Sequence, residues 1–142
     1  MFEQGETMME KQDITITIKS RMNGEETIFE TTGEYAFDGQ RHLAAYTDYT
    51  GNLITKNGLY IEPDKLLLHR VGGITADMLF DKQTDTVARY QAFMVNTSFV
   101  IHTSEYSVEE TEYGLAIHID YSLSDGTDTD VIKGIQDIEI KM

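Results

Sequence analysis

The chain has 142 residues, enough to bury one hydrophobic core and small for two, and 11 basic residues against 25 acidic ones leave a formal charge of −14. That balance weighs against nucleic acid and anionic membranes as partners, since both are bound through Lys and Arg and here no two basic residues are adjacent. No run approaches the roughly 20 apolar residues of a spanning helix, Met1 to Asp13 lacks the basic-then-apolar order of an export signal, and the absence of cysteine rules out disulfides, thiolate metal sites and thiol catalysis. The expectation is a single cytoplasmic domain, with a disordered or loosely held segment over residues 1–12 and one folded unit over 13–142.

From residue 13 onward the hydrophobic period is two. Ile14, Ile16 and Ile18 share one face, with Thr15 and Thr17 on the other, as a half-buried strand requires. Asn23-Gly24 separates that run, Ile14 to Arg21, from Thr27 to Thr32 and predicts a tight hairpin, because this pair accepts the positive φ that matches strand twist. Gly33 is expected to start a sharp corner. Further reversals are expected at Asp38-Gly39, Thr50-Gly51-Asn52, Asn57-Gly58 and Pro63-Asp64. Leu66-Leu67-Leu68 shows no alternation, Ile74 to Phe80 reads as a short helix or a strand, and Gly72-Gly73 between them marks a bulge or corner. After a turn at Tyr113-Gly114, the residues Leu115, Ile117, Ile119, Tyr121 and Leu123 make the clearest strand of the chain, ending at Asp125-Gly126. Val131, Lys133 and Ile135 hold one phase and Ile138, Ile140 and Met142 the other, which predicts a bulge near Gly134 to Asp137. The sum is an all-β protein: a single antiparallel up-and-down β-barrel of about 8–10 strands with at most one short helix, closed because closure removes free sheet edges.

The order of these features carries a resemblance. The opening Ile14-Thr15-Ile16-Thr17-Ile18 strand, the Thr32-Gly33-Glu34-Tyr35 corner, Leu68-His69-Arg70-Val71-Gly72, Met78-Leu79-Phe80 and Tyr90 are similar to the YwiB-like family of uncharacterised bacterial β-barrels, which resemble calycins, the lipocalin-type superfamily. The resemblance implies a small barrel with no assigned activity, in which Arg70 and Gly72 occupy the family's Arg-x-Gly element and Tyr90 its tyrosine position. After Tyr90 the sequence departs from the family pattern: Phe93-Met94-Val95-Asn96 stands where a Gly-containing turn is expected, which leaves that hairpin's geometry open.

No catalytic or cofactor signature emerges from the residues. His42, His69, His102 and His118 lack the His-x-His or His-x-x-x-His spacing of a metal site, and alternation places His102 and His118 on the outer surface, so no metal is expected. Asp125 to Asp130 alternates carboxylates as a calcium loop does, but its glycine follows the first aspartate and no glutamate stands at the twelfth position. Glu105, Glu109, Glu110 and Glu112 read as solvated acids rather than an acid–base pair. There is no Gly-x-Ser-x-Gly elbow, no P-loop and no dinucleotide fingerprint. The expectation is a protein that is not an enzyme and uses no cofactor.

Two roles remain. One is a binding module that takes a small apolar or carboxylate-bearing molecule in the barrel mouth, lined by Tyr46, Arg70, Tyr90 and Tyr121, whose side chains combine apolar bodies with polar tips. The other is a solid barrel that contacts a protein partner or a second copy of itself. An enzyme with an unrecognised site is the third reading. Arg70 follows three leucines into the barrel end, where a guanidinium needs partners for five donors; it reads as a structural plug on backbone carbonyls, as a carboxylate or phosphate anchor, or as an exposed residue.

Overall fold

The computed structural model describes residues 10–126 and 131–142. Its ten strands are β1 (Gln12–Met22), β2 (Glu25–Phe37), β3 (His42–Asp48), β4 (Thr55–Ile61), β5 (Lys65–Gly72), β6 (Ile74–Asp81), β7 (Thr86–Ala92), β8 (Val95–Glu110), β9 (Gly114–Ser124) and β10 (Val131–Lys141). Each pairs antiparallel with its neighbour in sequence and β1 pairs with β10, so the sheet closes into an up-and-down barrel. Most of the expected N-terminal segment, and Thr127 to Asp130 of the acid-rich turn, lie outside the described residues. Among those described there is no helix, and hence none long and apolar enough to cross a membrane.

The ambiguous middle of the chain is the β5–β6 hairpin. Leu67 interrupts the alternation because it faces outward, where it stands opposite Leu79 and both are half-buried, while Leu66 and Phe80 point inward at 1% exposure each. The Asn23-Gly24 turn forms as expected, with φ of 50° and 86°. Asn57-Gly58 does not turn: it lies inside β4, since Asn57 is drawn inward at 3% exposure and its amide donates to the Thr55 carbonyl.

Two other expectations change. Gly33 is no corner, for β2 runs straight through it; it is where β2 begins to pair with β3, and a Cβ there would stand 2.2 Å from the Ala45 carbonyl oxygen. The strand β10 keeps one register against both neighbours, so no bulge lies at Gly134 to Asp137. Its inward series is Gly134, Gln136, Ile138 and Ile140, and the apparent change of phase arises because Val131, like Lys133 and Ile135, belongs to the outward series. The register shift sits instead in β8, between Thr103 and Glu105. At the β7–β8 hairpin, Phe93 adopts a φ of +50°, a left-handed conformation that favours glycine, and its ring is left in solvent.

The interior is filled. Phe80, Ile16, Ile61, Leu66, Ile101, Leu115, Ile119 and Ile140 are fully buried, and the edge of Phe80 meets Tyr121 with ring centroids 5.1 Å apart. The connections β1–β2, β3–β4, β5–β6, β7–β8 and β9–β10 gather at one end, called here the upper end; the others gather at the lower end.

Candidate functional site

Near the upper end the pairing register sets Gly33, Tyr46, Asn57, Arg70, Ala76, Tyr90 and Thr97 side by side in one row across six strand pairs. Directly opposed residues of a sheet point to the same face, and the burial of Asn57 and Ala76 shows that the row faces the lumen. Three of the four residues singled out from sequence, Tyr46, Arg70 and Tyr90, therefore converge. The fourth does not. Tyr121 is 4% exposed in the core, its ring occupying the space that Gly134 leaves open, where a Cβ would lie 2.4 Å from Tyr121 Cζ. Tyr121 is a core residue because a side-chain-free position faces it, and no alternation pattern shows that.

Arg70 is held by side chains rather than by the backbone carbonyls expected of a plug. Its Nε donates to Asn57 Oδ1 at 2.8 Å, and Nη2 lies 3.9 Å from Asp48 Oδ2, beyond hydrogen-bond reach, with its side chain 19% exposed. Asp48 in turn accepts from the Thr50 amide at 2.8 Å and from the Thr50 hydroxyl. The Thr55 hydroxyl accepts the Ile74 amide at 3.2 Å, tying the start of β4 to the β5–β6 connection. Asn57, Asp48 and Thr55 were missed from sequence because an Asn-Gly pair reads as a turn; the one available signal was the alternation of Thr55, Asn57, Leu59 and Ile61.

Tyr46 packs against Phe29, with centroids 5.9 Å apart. Burial pushes its phenol up to about 12; the Arg70 guanidinium opposes the shift and the Asp48 carboxylate adds to it. A folded-state value above the ordinary 10 means that the native state holds the proton more tightly, so this stabilisation is complete below pH 10 and is lost as pH rises from 10 to 12. Urea unfolding between pH 9 and 12 should show wild type losing up to about 3 kcal/mol more than Tyr46→Phe over that window. Parallel stability curves for the two proteins would remove Tyr46 from the buried row.

The wall beside this row is incomplete. The register of β2 with β3 begins only at Gly33, whereas β2 pairs with β1 along its whole length down to Glu25, so the upper half of β2 stands away from β3. A groove of about 310 Å³ opens there, lined by Thr31, Gly33, Tyr46, Tyr49, Lys56 and Asn57 among others. At the same end of the barrel the connections 49–54, 71–74 and 92–96 carry no charged residue, and Leu53, Ile54, Phe93 and Met94 are exposed on them. Tyr46 and Asn57 thus open on a side entrance that Glu34 also lines, whereas Arg70, held by Asn57, lines a neighbouring groove of about 410 Å³ with His69, Thr75, Asp77, Arg89 and Gln91 among others. Tyr90 closes the far side of the row against Phe99, at 6.0 Å between centroids.

Fold and site together define a small closed antiparallel barrel, packed solid through its middle, with a polar row beneath one end. The sequence profile of a family described as "Domain of unknown function (DUF1934)" matches residues 13–133, and the chain belongs to that family. The crystal structure of the ywiB protein from Bacillus subtilis is similar over 96% of both chains, with a TM-score of 0.82 and 19% sequence identity, a likeness that establishes the YwiB-like barrel fold. No curated protein matches the sequence.

Proposed function

We propose that this barrel is a non-catalytic cytoplasmic binding protein whose ligand is a small molecule with an apolar or aromatic body and a carboxylate or similar anionic group. The carrying observation is Arg70. Its guanidinium is mostly removed from solvent and uses Nε on Asn57, while its terminal nitrogens have the Asp48 carboxylate no nearer than 3.9 Å. An anion entering beside Tyr46 would meet a planar fork of donors already positioned by a buried amide. The apolar part would rest on Tyr46 and the uncharged collar. The filled centre of the lumen limits such a ligand to the mouth, which distinguishes it from the deep pocket of a hollow calycin barrel.

A fluorescent naphthalene sulfonate (8-anilinonaphthalene-1-sulfonate) combines the two chemistries and serves as the probe. Saturable binding of about one equivalent to native protein is expected, weakened at least tenfold in Arg70→Met and unchanged in Arg41→Met, whose arginine sits at the lower end beside Asp38. Near-UV circular dichroism confirms that each variant keeps its tertiary packing. Absence of saturable binding, or equal binding by the Arg70 variant, overturns the assignment and leaves the solid interaction module.

A further inference from the structure

Three histidine–aspartate pairs stand on the outer wall. His69 pairs with Asp77, His102 Nδ1 lies 2.7 Å from Asp85 Oδ1, and His118 Nδ1 lies 2.6 Å from Asp137 Oδ1. Only the last has further acidic groups converging on its other nitrogen: Nε2 lies 3.7 Å from Glu105 Oε1, and one donor atom from each of Glu105, His118 and Asp120 falls within 4.8 Å of the others, the one such group among the described residues.

Strand geometry explains the convergence. His118 and Asp120 are two apart on β9 and so share its outward face, while Asp137 stands directly opposite His118 on β10. Glu105 arrives from β8 through the register shift that follows Thr103, which sets it directly opposite Asp120. Without the shift, alternation would carry position 105 to the lumen side together with Thr103; the added residue turns it outward. Two carboxylates directly opposed across a ladder repel each other. Asp137 Oδ1 stands where it can accept from Nδ1, and in the tautomer that carries its proton there the Nε2 lone pair faces the two carboxylates. The result is three acceptors facing one another, arranged from two strands, with the imidazole oriented by a third.

We propose that Glu105, His118 and Asp120 form a divalent-metal site on the barrel wall, with Asp137 as the carboxylate that orients the imidazole. The donor set of one imidazole and two carboxylates fits a first-row transition ion such as Zn²⁺ or Mn²⁺ better than Ca²⁺, which prefers oxygen alone. Donors bound at about 2.1 Å to one tetrahedral ion stand about 3.4 Å apart, so small rotations of the exposed Glu105 and half-buried Asp120 side chains close the site. With three protein donors, one coordination position remains for water or an exogenous ligand. The site lies on the outer wall and is separate from the Arg70 mouth. A charge of −14 on the chain raises the local cation concentration and favours capture.

The test titrates the chelator-treated full-length protein with ZnCl₂ by calorimetry and follows the four histidines by ¹⁵N-detected NMR. One equivalent should bind, with the largest shift at Nε2 of His118, and His118→Gln and Asp120→Asn should each weaken binding at least tenfold. His102→Gln, which breaks a two-residue pair on the same wall, should leave binding intact. Asp137→Asn should bind more weakly and alter the His118 tautomer signal, a change that mere loss of surface charge would not produce. Binding that is absent, or that is equally affected by His102→Gln, overturns the site and leaves His118 as a surface residue in contact with Asp137 and Glu105.

Discussion

Replacing Phe80 by alanine should destabilise the barrel by about 3–5 kcal/mol, the range for deleting a fully buried aromatic ring whose surroundings relax only in part. Phe80 is 1% exposed and meets the ring of Tyr121 edge-on, and Tyr121 is confined from its other side by the backbone of Gly134. The lining of the cavity therefore has little freedom to collapse. The barrel is a single closed sheet, so loosening β6 at this point also loosens its hydrogen bonds to β5. Urea denaturation with a midpoint shift at constant slope measures the effect. The contrasting Ile119→Val should cost only about 0.5–1.5 kcal/mol. A loss below 1 kcal/mol for the alanine variant would show that the lumen is not packed around Phe80.

The second large effect belongs to Gly72→Ala. Gly72 has a φ of +132°, and a Cβ there would stand 2.2 Å from the Ile54 carbonyl oxygen, which itself accepts the Gly73 amide at 2.9 Å. The backbone conformation costs about 1–3 kcal/mol for an L side chain, and displacing a main-chain carbonyl adds about as much again. A total of about 2–6 kcal/mol is expected by thermal or urea unfolding. Gly39→Ala isolates the first contribution, since its φ is +96° but nothing lies within 4 Å; it should cost about 1 kcal/mol. Equal losses at the two positions would deny the close approach of the β3–β4 and β5–β6 connections. Because Thr55 follows Ile54 and pairs with Gly72, the Gly72 variant should also slacken the Asn57–Arg70 contact.

Much of the fold could be read along the chain, because a strand's alternation is local. Ile14, Ile16 and Leu115, Ile117, Ile119 are buried as their period demands, and Asn23-Gly24 turns as its chemistry demands. Each misreading involved a residue whose role is set by something distant in sequence. Gly33 serves the Ala45 carbonyl, Asn57 turns inward to hold Arg70, and Gly134 makes room for Tyr121. A glycine announces only that a side chain is missing; whether a turn or a neighbour needs the space is a tertiary fact.

The same division holds for the sites. Tyr46, Arg70 and Tyr90 were recognisable as amphipathic candidates, yet their alignment follows from the pairing of β3 through β7, which no single segment encodes. His118-x-Asp120 was visible as two polar residues on one strand face. Glu105 joins them only because of a register shift in β8, and Asp137 only because β10 lies alongside β9. By itself the sequence determined the architecture, since period-two patterning and turn residues act over a few positions. Which side chains share a mouth or a wall was decided by closure, since a barrel brings residues together through hydrogen-bond register and not through spacing.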